Sequence, residues 1–271
     1  MFSDDAYFEK LKKKVTKDIN FQSQYYGEKH LKRRFMVRMR ALNIETFRDY
    51  FKQLERDPEE YNYLIKILTV NVTEWFRDAD VFEAFQKQVL PDIISRKKME
   101  RNRTIRIWSA GCSDGKEPYS IAMLLHEVLG ERINDFYIVL YASDIDEEML
   151  EKSKAGWYPP NEMKGLKDEY RRVYFTKEGD GYRVKPELKR LVKFEKLDLT
   201  TDRKHLGIDV LFCRNVVIYF TKELKQRLYM DFYNILKYGG YLIMGKTESL
   251  MGEARPMFTV VDNRERIYQK L

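Results

Sequence analysis

Cysteine is scarce: Cys112 and Cys213 are the only two in 271 residues, so a disulfide scaffold is excluded. Histidine is nearly as scarce. His30, His126 and His205 stand far apart, and no Cys/His cluster has the spacing that holds zinc, so no metal is expected. Long apolar runs are also missing, because charged residues interrupt each one well before the roughly 18 residues of a membrane span. The opening MFSDDAYFEKLKKK lacks the apolar stretch and small-residue cleavage site of a signal peptide. No internal repeat or low-complexity tract is visible. These absences lead us to expect a cytoplasmic protein from a reducing compartment, without direct membrane insertion.

What is present suits two domains, since 271 residues exceed one ordinary compact domain. Hydrophobic residues at 44% and aromatics at 14% exclude a disordered chain. Net charge is +7, unevenly spread. Residues 10–40 hold eleven Lys/Arg against only Asp18 and Glu28, whereas residues 41–90 hold six against ten Asp/Glu. Positive charge concentrated near the N-terminus suits an acidic partner. Within it, EKHLKRRFMVRMRAL (28–42) fits a helix with Leu31, Phe35, Met39 and Leu42 on one face. Lys29, Arg33 and Arg40 fall on the opposite face, which is either a plain solvated surface or a docking surface.

The chain changes texture along its length. Residues 1–90 read as a helical domain, with amphipathic stretches near 5–18, 28–42, 44–55, 58–70 and 78–90. Pro91 and SRKKMERNR make 91–103 a linker by composition. From 104 to 271, β-rich runs alternate with helical ones: TIRIWSA, FYIVLYASD, VKFEKLDL, IDVLFCRN and YLIMGKT. That alternation predicts an α/β, doubly wound, Rossmann-like sheet, closed by an antiparallel hairpin around Asp262-Asn263. The stretch 156–191 interrupts the alternation and reads as an inserted β-subdomain, with Gly179 and Gly181 supplying a turn.

Four blocks carry chemistry. In WSAGCSDGKEPYS (108–120) a strand ends at Ser109 or Ala110, a glycine turn follows, and a helix starts near Glu117-Pro118. It is neither the dinucleotide fingerprint nor a phosphate loop, and alone it is equally an ordinary strand-to-helix turn. Asp144, ending the next strand, is either a helix N-cap or an acceptor for both ribose hydroxyls. A glycine turn without a phosphate-binding lysine, followed by a ribose acid, suits a phosphate-free adenosyl ligand such as S-adenosylmethionine. CRNVVIYF (213–220) ends the fourth strand, and TVNVTEWFRD (69–78) supplies Asn71, Thr73 and Arg77, by spacing alone equally caps or solvated positions. Cys112 and Cys213 read as small buried hydrophobes, Trp108 and Trp157 as packing residues, and His205 as an exposed loop residue.

In this order and spacing, the blocks resemble the CheR family of chemotaxis receptor methyltransferases over essentially the whole chain. Two positions depart from the family pattern: Asp114 stands where Thr is common and Lys116 where Glu is common, while Glu117 is retained. The resemblance implies methyl transfer from S-adenosylmethionine to receptor glutamates, leaving S-adenosylhomocysteine. It places Asn71, Thr73 and Arg77 against the cofactor from the N-terminal side and Ala110 and Glu117 along its methionine portion. It also puts Asp144 at the ribose, Asp198 and Leu199 beside the adenine, and Arg214 and Asn215 under the methyl end. Arg77 and Tyr219 would handle the substrate carboxylate, and Lys29, Arg33 and Arg40 would dock acidic methylation helices. A monomer is expected.

A glutamate carboxylate, with a reference pKa near 4.3, is already ionised at neutral pH and needs no general base, consistent with motifs that hold no histidine. Two rivals remain at this level. One is a nucleic-acid methyltransferase, suggested by a pI of about 9.1 but lacking an Asn-Pro-Pro-Tyr motif or aromatic-interleaved basic tract. The other is a non-catalytic cofactor-binding module, disfavoured by retention of Arg77, Glu117, Asp144 and Tyr219. Relatives that tether to a receptor C-terminal pentapeptide do so on the inserted subdomain through a longer hairpin loop. The short Gly-Asp-Gly connection (179–181) predicts docking without a tether.

Overall fold

The computed structural model describes residues 4–271. It divides into two compact units, one holding the chain up to Asn71 together with Tyr219–Lys225, the other holding Val72–Ile218 and Gln226–Leu271.

The first unit is helical: α1 (Asp4–Ile19), α2 (Glu28–Ala41), α3 (Phe47–Arg56) and α4 (Glu60–Leu68). Residues repeating every three or four positions form its core: Phe8, Leu11 and Val15 of α1, Leu31, Phe35 and Met39 of α2, Tyr50 and Leu54 of α3, and Leu64 and Leu68 of α4. Each such burial contributes on the order of 1.5–3 kcal/mol. Thr46 starts α3 by accepting the Asp49 amide at 3.1 Å. The buried Glu60 carboxylate takes Arg38 Nη2 at 2.7 Å and the Tyr50 hydroxyl at 2.8 Å, which compensates its desolvation.

The second unit is built on a seven-stranded sheet: β1 (Thr104–Ala110), β2 (Tyr137–Asp144), β6 (Val192–Lys196), β7 (Ile208–Cys213), β8 (Leu236–Met244), β9 (Phe258–Asp262) and β10 (Ile267–Lys270). Their order is β6-β2-β1-β7-β8-β10-β9. The first five are parallel, and β10 and β9 add antiparallel. The doubly wound sheet with a closing hairpin is as the alternation predicted. Helices α7 (Lys116–Leu129), α8 (Glu147–Ala155) and α11 (Lys222–Ile235) follow strands β1, β2 and β7. Between α8 and β6 lie short helices α9 (Asp168–Tyr174) and α10 (Pro186–Lys189) and a three-stranded antiparallel sheet. Its strands β3 (Trp157–Tyr158), β4 (Phe175–Glu178) and β5 (Gly181–Val184) stand in the order β3-β5-β4, which is the expected insertion.

Two expectations from composition change here. Residues 91–103 are mostly not a linker: α6 (Leu90–Met99) runs through them, with Ile93, Ile94 and Lys97 buried. Pro91 is tolerated in its first turn because that N–H needs no helical partner. Lys97 reaches Asp209 at 2.6 Å, so part of the charged run is anchored inside. The helical region also does not end with its domain at residue 90. Helix α5 (Ala79–Ala84), a π-wound turn Phe85–Val89 and α6 share the sheet's core, with Phe85 edge-on to Phe212 at 5.0 Å. Periodicity identifies an apolar face, not the element it packs on.

Candidate cofactor site

Strand β1 ends at Ala110 and the chain turns at once. Gly111 takes φ +80°, and a Cβ there would lie 2.4 Å from Val216 Cγ2, so only glycine fits. Gly111 and Cys112 donate to Ser143 O at 2.8 and 3.0 Å, tying the turn to the end of β2. Ser113 adopts left-handed φ 49° and aims its amide at Asp144 Oδ2, 2.7 Å away. The other Asp144 oxygen accepts the Asp146 amide at 3.0 Å. Asp146, not Asp144, caps α8, accepting from Glu148 and Met149. The helix-cap reading of Asp144 therefore falls away. Burial raises the Asp144 carboxyl above its ordinary value, against the pull of these backbone amides. Backbone donors engage both oxygens, and a carboxylate's roughly four acceptor sites leave capacity for a ribose hydroxyl.

Glu117, in the first turn of α7, accepts from Ser109 Oγ at 2.7 Å and Arg214 Nη1 at 3.1 Å. Arg214 is a buried hub: Nη2 donates to Asp78 Oδ2 and to the Arg77 carbonyl, both at 2.7 Å. Both its Nη atoms are engaged by groups of the chain, which makes it a clasp within the site, while its buried Nε has no hydrogen-bond partner. Asn215 beside it is left-handed at φ 59°, its amide held by buried Glu248 at 3.0 Å. Glu248 also accepts the Gly245 amide at 2.7 Å, and burial raises its carboxyl.

The segment 72–78 is pinned on three sides. Trp75 Nε1 donates to Glu162 O at 2.9 Å, the Phe76 amide to Ser120 Oγ at 3.2 Å, and Arg214 holds Arg77 and Asp78. Phe76 and Asp78, flanking Arg77, both take positive φ, at 49° and 59°. Non-glycine left-handed residues cost energy and mark over-determined positions. Here they aim Arg77, whose Nη1 uses one N–H on Val72 O at 2.7 Å. Thr73 lies half-buried in the same segment. Leu197 donates to Asp144 O at 3.0 Å and so seats Asp198 and Leu199 near the carboxyl end of β2. Asp198 Oδ1 accepts the Thr200 amide at 2.7 Å, and Leu199 is buried.

Thus the fold brings Thr73, Arg77, Ala110, Glu117, Asp144, Asp198, Leu199, Arg214 and Asn215 into one unit, at the carboxyl ends of parallel strands, where such sheets bind ligands. Asn71 and Tyr219 belong to the other unit, as do Lys29, Arg33 and Arg40. Sequence reading missed Ser109, Asp78 and Glu248. Asp78 adjoins Arg77 in the sequence; Glu248 carries no local signal, because beside the nearby Gly245 amide it holds the Asn215 amide from 33 residues away.

The unusual pair in the turn explains itself. Lys116 and Asp114 are both buried and pair with each other; Lys116 also reaches Glu162 at 2.8 Å, and Lys152 joins Asp114 at 3.1 Å and Glu162 at 2.7 Å. Although burial opposes it, Lys116 and Lys152 hold the Glu162 carboxyl below its ordinary value. Tyr158 donates to Asp114 O at 2.6 Å. Turn, α8 and insertion are thereby locked together, and Lys116 faces carboxylates of the chain instead of a ligand phosphate. The donors at this turn therefore fit an adenosyl ligand without phosphates.

His205 is not an exposed loop residue: its ring stacks on Tyr141 at 3.8 Å, meets Trp108 edge-on at 5.5 Å, and its Nε2 contacts Glu195. Cys112 and Cys213 are buried, and burial raises both thiols well above their ordinary value, as inert packing groups require.

A family model described as "CheR methyltransferase, SAM binding domain" matches residues 71–267, and one described as "CheR methyltransferase, all-alpha domain" matches 6–69. A chemotaxis protein methyltransferase of Listeria monocytogenes is 33% identical over 251 residues, covering 93% of this chain and 92% of that protein. One of Klebsiella aerogenes is 33% identical over 263 residues (94% and 87%), and chemotaxis protein methyltransferase 1 of Vibrio cholerae is 40% identical over 192 (69% and 68%). The chain therefore belongs to the CheR methyltransferase family, with that family's all-alpha domain and its S-adenosylmethionine-binding domain.

Proposed function

We propose that this protein methylates glutamate side chains of chemotaxis receptors, using S-adenosylmethionine and releasing S-adenosylhomocysteine, in the cytoplasm and as a monomer. The observation that carries the substrate class is the outer face of α2. Lys32 pairs with Asp5 and Glu28, Arg34 with the Ile67 carbonyl and Arg38 with Glu60. Lys29, Arg33 and Arg40 are exposed, and none has an ion pair among the described residues. Met36 and Val37, each 39% exposed, lie between them. A basic stripe with an apolar centre is complementary to an amphipathic helix bearing carboxylates. The relatives' names as chemotaxis methyltransferases support the same reading.

When bound, the cofactor supplies an electrophilic methyl on a sulfonium. Asp144 holds its ribose, Glu117 lines its amino-acid portion, and Asp198 and Leu199 border the adenine. Thr73 and Asn71 contact it from the N-terminal side, with Ala110 and Asn215 completing the lining. Arg77 holds the substrate carboxylate through its planar fork, and the Tyr219 hydroxyl orients one oxygen while the other attacks. The substrate is already ionised, so the chain's task is alignment and exclusion of water.

The deciding assay is incubation with methyl-labelled S-adenosylmethionine and a receptor cytoplasmic fragment. A base-labile methyl ester is expected; label in RNA, or none in any receptor fragment, overturns the reading. Arg77→Ala should nearly abolish transfer, and Arg77→Lys should restore it only partly, because lysine lacks the fork. A parent rate in both removes Arg77 from the mechanism.

A further inference from the structure

The outer face of α2 is accounted for above; its inner face carries a group with no stated role. His30 lies one turn from Arg34 and Arg33, and its ring packs on Tyr219 with centroids 4.6 Å apart and planes at 39°. Its Nε2 is buried without a hydrogen-bond partner, so no hydrogen bond at that nitrogen dictates the ring's orientation. Burial, with Arg34 and Arg33 close by, pushes the imidazole down to about 4, so at neutral pH it is an uncharged ring.

The same corner is fastened by backbone. Gly27 donates to Tyr219 O at 2.9 Å, Thr221 donates to Tyr25 O at 2.9 Å, and Tyr26 and Phe220 form an antiparallel bridge. Phe21 stacks on Tyr26 at 4.5 Å, and Tyr26 meets Phe220 edge-on at 5.1 Å. These contacts fix the backbone on both sides of Tyr219 but leave the direction of its side chain to whatever touches the ring. His30 touches it. The first turn of the docking helix and the 219–221 segment are therefore one fastened piece within the helical unit.

We infer that His30 is a positioning residue for Tyr219: its imidazole sets the phenol's direction and so registers the hydroxyl to the helix that docks the substrate. The inference rests on the proposed role of Tyr219 and adds to it a residue that touches neither substrate nor cofactor. A misdirected hydroxyl slows the transfer step without weakening binding.

The test measures kcat, receptor-fragment KM and S-adenosylmethionine affinity for parent, Tyr219→Phe, His30→Ala, His30→Phe and the double variant His30→Ala/Tyr219→Phe. We expect His30→Ala to lower kcat by about tenfold, with KM and cofactor affinity within about twofold of the parent. His30→Phe keeps a flat ring and should recover most of the rate. In the Tyr219→Phe background His30→Ala should have no further effect, because the hydroxyl it directs is gone; a purely structural role would still slow the double variant. If His30→Ala does not fold by thermal unfolding, His30→Gln replaces it in the same cycle. Tyr219→Phe slow but His30→Ala at the parent rate, or additive effects in the double variant, overturns the inference alone. Tyr219→Phe at the parent rate overturns the role of Tyr219 and the inference with it.

Discussion

Asp144 shows how backbone amides fix the plane of one buried carboxylate. Its oxygens accept the Ser113 and Asp146 amides at 2.7 and 3.0 Å, so its plane is set before any ribose arrives. Asp144→Ala should weaken S-adenosylmethionine binding by roughly 1.5–3 kcal/mol, the range for a hydrogen bond to a charged group; calorimetry at neutral pH measures it, and unchanged affinity removes Asp144 from the site. A pH trend follows from burial. The folded carboxyl titrates above the ordinary aspartate value, so as pH falls it takes up its proton earlier than an exposed aspartate does. In the proposed role it is the ionised form that accepts both ribose hydroxyls. Affinity should therefore decline on acidification at a higher pH than an ordinary aspartate would impose, and the decline should be absent in Asp144→Ala. A profile identical in parent and variant assigns the titration elsewhere.

At the scale of elements, the 111–117 turn and α2 each do two jobs. The turn's Asp114 and Lys116 form a buried cluster with Lys152 and Glu162, tying it to α8 and to the insertion. Lys116→Glu puts a third carboxylate into that cluster and should destabilise the fold by about 3 kcal/mol or more, as breaking a buried pair does. Asp114→Thr combined with Lys116→Glu, which restores the residues common in the family, should lose less than Lys116→Glu alone, because Lys152 can then serve both remaining carboxylates. Denaturant midpoints of the two variants decide, and equal losses show that the cluster is not coupled. Helix α2 divides its cations between inward pairs and an outer stripe. Arg33→Glu with Arg40→Glu should impair receptor methylation and spare cofactor binding. The difference should shrink with added salt, since exposed charges are screened over about 8–10 Å near physiological ionic strength. Equal rates at low salt reduce the stripe to a solvated surface.

For the whole molecule, the open question is how a receptor is held. The insertion's hairpin turns between Glu178 and Gly181, which are paired across β4 and β5, with Gly179 left-handed at φ 62°. So tight a turn leaves little backbone beyond the strands on which an added peptide strand could form. The receptor should then be held by α2 alone, without the gain in local concentration that a tether brings. Titration with a peptide from a receptor C-terminus should show no binding. Micromolar affinity that depends on residues 174–185 contradicts this and makes the insertion a tether site.

The sequence by itself determined the order of elements and the chemistry of each block. Alternation of apolar runs fixes strands and helices, and glycines, a proline at a helix start and an acid at a strand end mark a ligand turn through local backbone constraints. It also determined which face of α2 is apolar, since that needs only a period of 3.6 residues. Only the tertiary structure decided what each face packs against. It assigned 79–99 to the sheet's core, gave the N-cap role to Asp146 instead of Asp144, drew Arg214 into a clasp with Glu117 and Asp78, and set His30 on Tyr219 from 189 positions away. Pairings between distant residues have no period and no local spacing; they exist only once loops have closed and desolvation has made each buried charge and ring find a partner.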